Sequence, residues 1–252
     1  MTPKKYFFLL WTGSLVGFFA GLPFARRVIE LSGGPVQDLM APAKLLVLGI
    51  VNIIIHTISI YFGLRFSQKL GIQFLLLNNA KNIVHVLVIP SIVAGTLCTI
   101  LMLITDSLLP ADQLNLYYLA SNMNPLHGLL GLIPASFNEE ITTRLFLLSG
   151  VALLVKKTFK SSSNNLPMWV AIVVTALIFG IEHIPQFIQG ASISYILIAR
   201  VILLNGISGT LFGLIFWRYS FEAAMLTHFI SDLILYVLIP LTSHIFMPLK
   251  NR

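Results

Sequence analysis

The sequence predicts an all-α integral membrane protein: a polytopic bundle of about seven transmembrane helices, or eight if a long one breaks. Three observations predict it. The 252 residues are 57% hydrophobic and only 10% charged, with a mean hydropathy of +0.90, and a soluble domain of this length needs far more charged surface. The apolar text falls into blocks close to the roughly 20 residues that cross a bilayer core. Between the blocks, cations gather in short clusters and give a net charge of +7. That pattern fits topology and lipid headgroup contact, not nucleic-acid binding.

The first block, MTPKKYFFLLWTGSLVGFFAGLPFARR, has a basic start and an apolar run long enough to span. Arg26 and Arg27 would sit awkwardly just past a cleavage site, so the block reads as a retained helix and not a signal peptide. Spans are expected at 6–24, 44–65, 83–104, 127–155, 168–188, 192–216 and 222–240. The stretch 241–249 is too short for another and suits the interface. No soluble domain fits between the spans and no repeat is visible, so residues 1–252 read as a single membrane domain. In the sixth span Gly206, Gly209 and Gly213 fall near one face, a strip that lets a neighbouring helix approach. The lone cysteine, Cys98, lies in an apolar run, which excludes an intrachain disulfide or a cysteine zinc cluster and suits a buried apolar side chain.

Orientation follows from the cations between spans. A cytoplasmic N-terminus places Lys4, Lys5, Arg65, Lys69, Lys81, Lys156, Lys157, Lys160 and Arg218 inside. It leaves the smaller set Arg26, Arg27, Lys44, Lys250 and Arg252 outside, together with the loop that carries Asp106 and Asp112. A compact chain without long loops fits a bacterial inner membrane.

Ionisable residues within spans cost about 2.5–3.5 kcal/mol each at a helix centre, so they face the bundle interior and are functional candidates. Here they are Glu139, Glu140, Arg144, Glu182, His183, Arg200, His228 and Asp232. His56 and His85 stand alone and suit a neutral histidine bonded to a neighbouring helix. Glu140 and Arg144 are four apart, about 40° around a helix, and can pair. Glu139 points roughly 100° away and is left available for proton transfer. Phe179 and His183 are four apart ahead of Pro185, and His228 and Asp232 are four apart on the last span. Such a His–Asp pair can hold a metal, or the aspartate can fix the histidine tautomer. Glutamate, histidine and a His–Asp pair on three spans are the ingredients of water activation with stabilisation of an oxyanion.

The order EExxxR, FxxxH, HxxxD resembles the CPBP family of intramembrane proteases, which includes the CAAX prenyl endopeptidases and bacterial Abi proteins. The resemblance runs over about residues 128–240, through EITTRLFLLSG, ALIFGIEHIP and FEAAMLTHF. It implies a helical bundle with an intramembrane cavity. Glu139 would be the general base, His183 would help polarise the attacking water, and Glu140 and Arg144 would form a structural pair. His228 and Asp232 would face the developing oxyanion, and Phe179 would line the pocket. The last position is Asn or Asp in the family. An ionised Asp232 cannot donate a hydrogen bond, so it acts there protonated or else orients His228. Glu182 is expected to pair with Arg200, with a proton shuttle as the alternative. The preferred mechanism is glutamate-dependent and metal-free; a zinc ion would instead take Glu139, His183 and His228, although no HExxH is present.

The function expected is therefore an intramembrane endopeptidase that cuts a membrane-associated or lipid-anchored substrate, with membrane lipids and a peptide or membrane protein as partners and no nucleic acid. The alternatives are a proton-coupled carrier, since proton relays use the same residue types, and a catalytically silent scaffold or immunity protein.

Overall fold

Small polar caps and prolines cut the apolar text into helices. Side-chain oxygens of Thr2, Asn124, Ser194 and Ser220 each accept from a first-turn N–H that the helix itself leaves unpaired. Pro3, Pro42 and Pro125 open helices at the position where a missing N–H costs nothing. The computed structural model describes residues 1–78, 82–110, 115–159, 165–187 and 194–246. Lys81, Asp112, Lys160, Lys250 and Arg252, with residues 247–249 of the expected interfacial stretch, lie outside them.

Every regular element among the described residues is helical. In order they are α1 (Pro3–Ala20), α2 (Leu22–Leu31), the single turn α3 (Val36–Leu39), α4 (Pro42–Lys69) and the single turn α5 (Leu75–Asn78). A π-helical turn, Val84–Val88, leads into α6 (Ile89–Leu108), and α7 (Leu116–Ser121) follows. Then comes a broken run: α8 (Pro125–Pro134), π-helical segments Ala135–Glu139 and Ile141–Leu148, and α9 (Ser149–Phe159). After it lie α10 (Leu166–Glu182), the turn α11 (Ile184–Phe187), α12 (Tyr195–Arg218), α13 (Phe221–Leu233), a π-turn Ile234–Leu238, and α14 (Ile239–Phe246).

Among the described residues, four helices are long and apolar enough to cross a membrane: Pro42–Lys69, Val84–Leu108, Tyr195–Arg218 and Phe221–Thr242. A fifth is reached if α1 and α2, bent by 42° at Gly21, count as one. This corrects the seven or eight expected. The run over 127–155 is interrupted by π-segments and carries three charges, and the helix drawn over 168–188 is only the 17-residue α10. Pro185 has no N–H to offer the Ile181 carbonyl, so the α-helical ladder of α10 cannot run on through it, and the helix ends at Glu182. The outward faces of α4 remain apolar, with Leu46, Val47, Ile50, Ile54 and Ile58 exposed, as a lipid-facing helix requires. The chain is an integral membrane protein built as a helical bundle.

Polar and small residues set the packing that frames the site. Trp11 Nε1 donates to Thr57 Oγ1 at 3.0 Å and joins α1 to α4. Ser67 and Ser149 share a 2.7 Å hydroxyl contact between α4 and α9. Ser91 Oγ donates to Ala223 O at 3.0 Å between α6 and α13. The glycine strip on α12 faces α10: a Cβ on Gly209 would lie 3.0 Å from Ala176 Cα. Close approach is what that strip provides. Cys98 is fully buried, its thiol 3.8 Å from Met102 Sδ.

Candidate active site

The glutamates sit where the helical ladder changes register. Ala135–Glu139 is π-helical, Glu140 joins it to a second π-segment, and π-bulges recur at functional positions because they re-aim side chains. Glu139 ends the first segment with 31% of its side chain open to a cavity of about 400 Å³. Glu140 points the other way and is fully buried.

Around Glu140 the structure builds a compact network. Arg144 Nη1 lies 3.0 Å from Glu140 Oε1, and Nη2 donates to Gly209 O at 3.3 Å. The guanidinium lies between two rings, 4.4 Å from the centroid of Phe179 and 5.2 Å from that of Phe212. Phe212 in turn stacks on His228, with centroids 4.4 Å apart and planes at 25°. His228 Nδ1 is 2.8 Å from the same Glu140 oxygen that Arg144 holds. A carboxylate only accepts, so Nδ1 carries a proton and Nε2 is turned toward the cavity. There Nε2 lies 3.4 Å from Asp232 Oδ2 and 3.9 Å from Glu139 Oε2.

His183 closes the other side. Its Nδ1 is 2.7 Å from the Phe179 carbonyl, which likewise places the proton on Nδ1 and presents the Nε2 lone pair outward. That Nε2 is 3.7 Å from Glu139 Oε2. The ring packs edge-on against Phe179, centroids 4.6 Å apart. Glu139, Phe179, His183, His228 and Asp232 all line the one cavity, and apolar side chains such as Phe24, Leu45 and Met123 line the rest.

Residues 121–234 match the family model described as Type II CAAX prenyl endopeptidase Rce1-like. Over that segment the chain is similar to this family. No curated protein and no solved structure matches the chain. The matched segment contains all seven residues of the three motifs, whereas α1, α4 and α6 precede it. The match points to a protease.

Within the matched segment, one pairing and one role read from the sequence change. Glu182 does not reach Arg200: it is exposed at the end of α10, while Arg200 Nη1 is bound to Asp106 and Nη2 to the Pro110 carbonyl. The helix N-terminal to Arg200 was the nearer place to look, but the partner comes from α6 across the bundle. The nitrogen that sets the His228 tautomer faces Glu140, not Asp232, so Glu140 braces a histidine as well as an arginine. Phe212 was not singled out, and nothing local marks one phenylalanine among eighteen. Among the described residues no group of three His, Cys, Asp or Glu side chains is arranged to hold a metal ion.

Proposed function

We propose that the protein is an intramembrane endopeptidase that hydrolyses a peptide bond of a membrane-associated or lipid-anchored substrate. The observation that carries this reading is the meeting of Glu139, His183, His228 and Asp232, from three separate helical runs, on one cavity inside the family segment. Oppositely placed ionisable groups at this depth are costly and persist for function.

The separations of 3.7 and 3.9 Å from Glu139 Oε2 to the two imidazoles exceed a direct hydrogen bond and suit one bridging water. Glu139 accepts a proton from that water, and His183 Nε2, with its lone pair fixed outward, holds the water in line. The hydroxide adds to the scissile carbonyl carbon, and the oxygen takes the charge on the side of His228. When protonated, His228 offers Nε2–H there while Nδ1–H stays on Glu140, with Asp232 orienting it. The C–N bond then breaks, the amine leaves with the proton held by Glu139, and the new carboxylate stays on the other fragment. The mechanism needs no metal ion.

We further assign the N-terminus to the cytoplasm of a bacterial inner membrane. Met1 N donates to Leu76 O and Phe221 N to Gln73 O, which gathers the N-terminus, the turn after Lys69 and the chain just past Arg218 at one basic end. Lipids surround the bundle as partners.

The test compares membranes holding wild-type protein with membranes holding Glu139→Ala or His183→Ala. Wild type is expected to generate new peptide termini in the membrane proteome, and both variants none. Unchanged cleavage by Glu139→Ala would overturn the mechanism. Solute flux into proteoliposomes that is lost with Glu139→Gln, without cleavage, would replace it with a carrier.

A further inference from the structure

One buried polar network lies behind Glu139 and takes no part in the chemistry above. His56, from the middle of α4, is 6% exposed. Its Nδ1 lies 2.8 Å from Asn52 O, one turn back on its own helix, and its Nε2 lies 3.3 Å from Asn138 O, across the interface. Asn138 is the residue before Glu139, inside the π-segment that aims it. Its side chain donates from Nδ2 to Ser14 O at 3.3 Å and to Asn52 Oδ1 at 3.4 Å, and Asn52 Nδ2 donates to Ser14 Oγ at 3.4 Å. Thus α1 and α4, both outside the matched segment, hold Asn138 at the base of Glu139, α1 through its side chain and α4 through both its side chain and its carbonyl.

The grip has a physical reason. Where a ladder changes register, carbonyls lose regular partners, and a buried carbonyl left unpaired is costly. Thr142 Oγ1 donates to both Asn138 O and Glu139 O, at 3.0 and 3.1 Å, and Thr143 Oγ1 also donates to Glu139 O. Those donors come from the run itself and would follow it if it rotated. His56 is anchored on another helix, so it alone among the groups on these two carbonyls ties the π-turn to the rest of the bundle. Both ring nitrogens face carbonyl oxygens, which only accept, so a neutral ring donates to one of them at a time, and the bond to Asn138 O is made by the tautomer with the proton on Nε2.

We propose that His56 is a positioning residue for Glu139: through Nε2–H to Asn138 O it fixes the π-turn that turns the Glu139 carboxyl into the cavity. The word positioning rests on the peptidase reading; the structural effect on Glu139 does not.

Two substitutions separate the two ring nitrogens. His56→Gln places an amide donor at the reach of Nε2, and His56→Asn places one only at the reach of Nδ1, keeping the contact to Asn52 O. In a peptide-cleavage assay kcat is expected to fall about tenfold in His56→Asn at unchanged KM, because a misaimed base loses rate without losing substrate. His56→Gln should return to within about twofold of wild type at a similar Tm. A readout without substrate accompanies it: the rate at which a hydrophobic carbodiimide modifies Glu139, followed by mass spectrometry of its peptide. Wild type and His56→Gln should label alike, and His56→Asn more slowly. Equal labelling of Glu139 in both variants would overturn the proposal, as would kcat losses that track Tm in both. If the labelling pattern holds while wild-type protein cleaves no peptide, the peptidase reading falls and the role of His56 stands.

Discussion

Among the described residues two arginines are buried, and their partners differ in kind. Arg144 pairs with a glutamate one turn away, on its own run, and Arg200 pairs with an aspartate 94 residues away on α6. The first pair is wired to the cavity chemistry: the Glu140 oxygen that holds Arg144 also holds His228, and both faces of the arginine carry rings that touch the site histidines. The second pair ties chain to chain: Asp106 Oδ2 also accepts from Leu116 N at 2.9 Å, and Arg200 reaches the Pro110 carbonyl. Equal burial therefore does not mean equal purpose. One pair holds a tautomer, and the other closes a loop.

Substitutions can break or sharpen that contrast. The largest effect is expected from Arg144→Met, which strands the fully buried Glu140; losing one partner of a buried pair costs about 3–5 kcal/mol. Thermal unfolding in detergent should drop sharply, and cleavage should vanish with it. Next comes Glu140→Gln, which keeps the shape but loses the charge that holds Nδ1–H of His228. Turnover should fall on the order of a hundredfold while most of the protein still folds, as circular dichroism and a cleavage assay together would report. If turnover and Tm fell in step, Glu140 would be only a brace. Asp106→Asn should show the opposite split, a stability loss of about 1–3 kcal/mol with kcat held within a few-fold. A large kcat loss at unchanged Tm would join Arg200, which lines the cavity, to the chemistry. Smallest of all is Glu182→Gln, expected to stay within about 0.5 kcal/mol in stability because the residue is exposed and away from Arg200.

The same contrast explains what was legible in the sequence. Pairs four residues apart were readable because helix geometry alone places them, so Glu140 with Arg144 and His228 with Asp232 stand as drawn, at 3.0 and 3.4 Å. The motif order located the family segment and its cavity residues before any coordinates. Contacts between distant helices were not readable: Asp106 with Arg200, Glu140 with His228, and Phe212 under both Arg144 and His228 depend on how runs pack. The number of membrane-crossing helices was overdrawn for a related reason. Hydropathy counts residues and is blind to a ladder that changes register, so a broken run over 127–155 looked like one continuous span. His56 was read as a histidine bonded to a neighbouring helix, and it is; which carbonyl it meets, and what stands beside that carbonyl, needed the fold.

The π-segments around Glu139 also set a length rule for this part of the chain. Each bulge stores one residue beyond what an α-helix of the same rise would hold. Removing a single residue between 135 and 139 would let that stretch relax to ordinary helix, with better backbone bonding and about 100° less rotation. Glu140 would then take the direction that Glu139 has relative to α8, and Glu139 that of Asn138: the exposed acid would turn away from the cavity, and the buried one would leave His228 and carry Arg144 with it. A deletion that repairs the local hydrogen-bond ladder would thereby erase the division between an acid that works and an acid that braces. In this stretch spacing matters as much as residue type, and tolerance to insertion or deletion is the trait on which it can be observed.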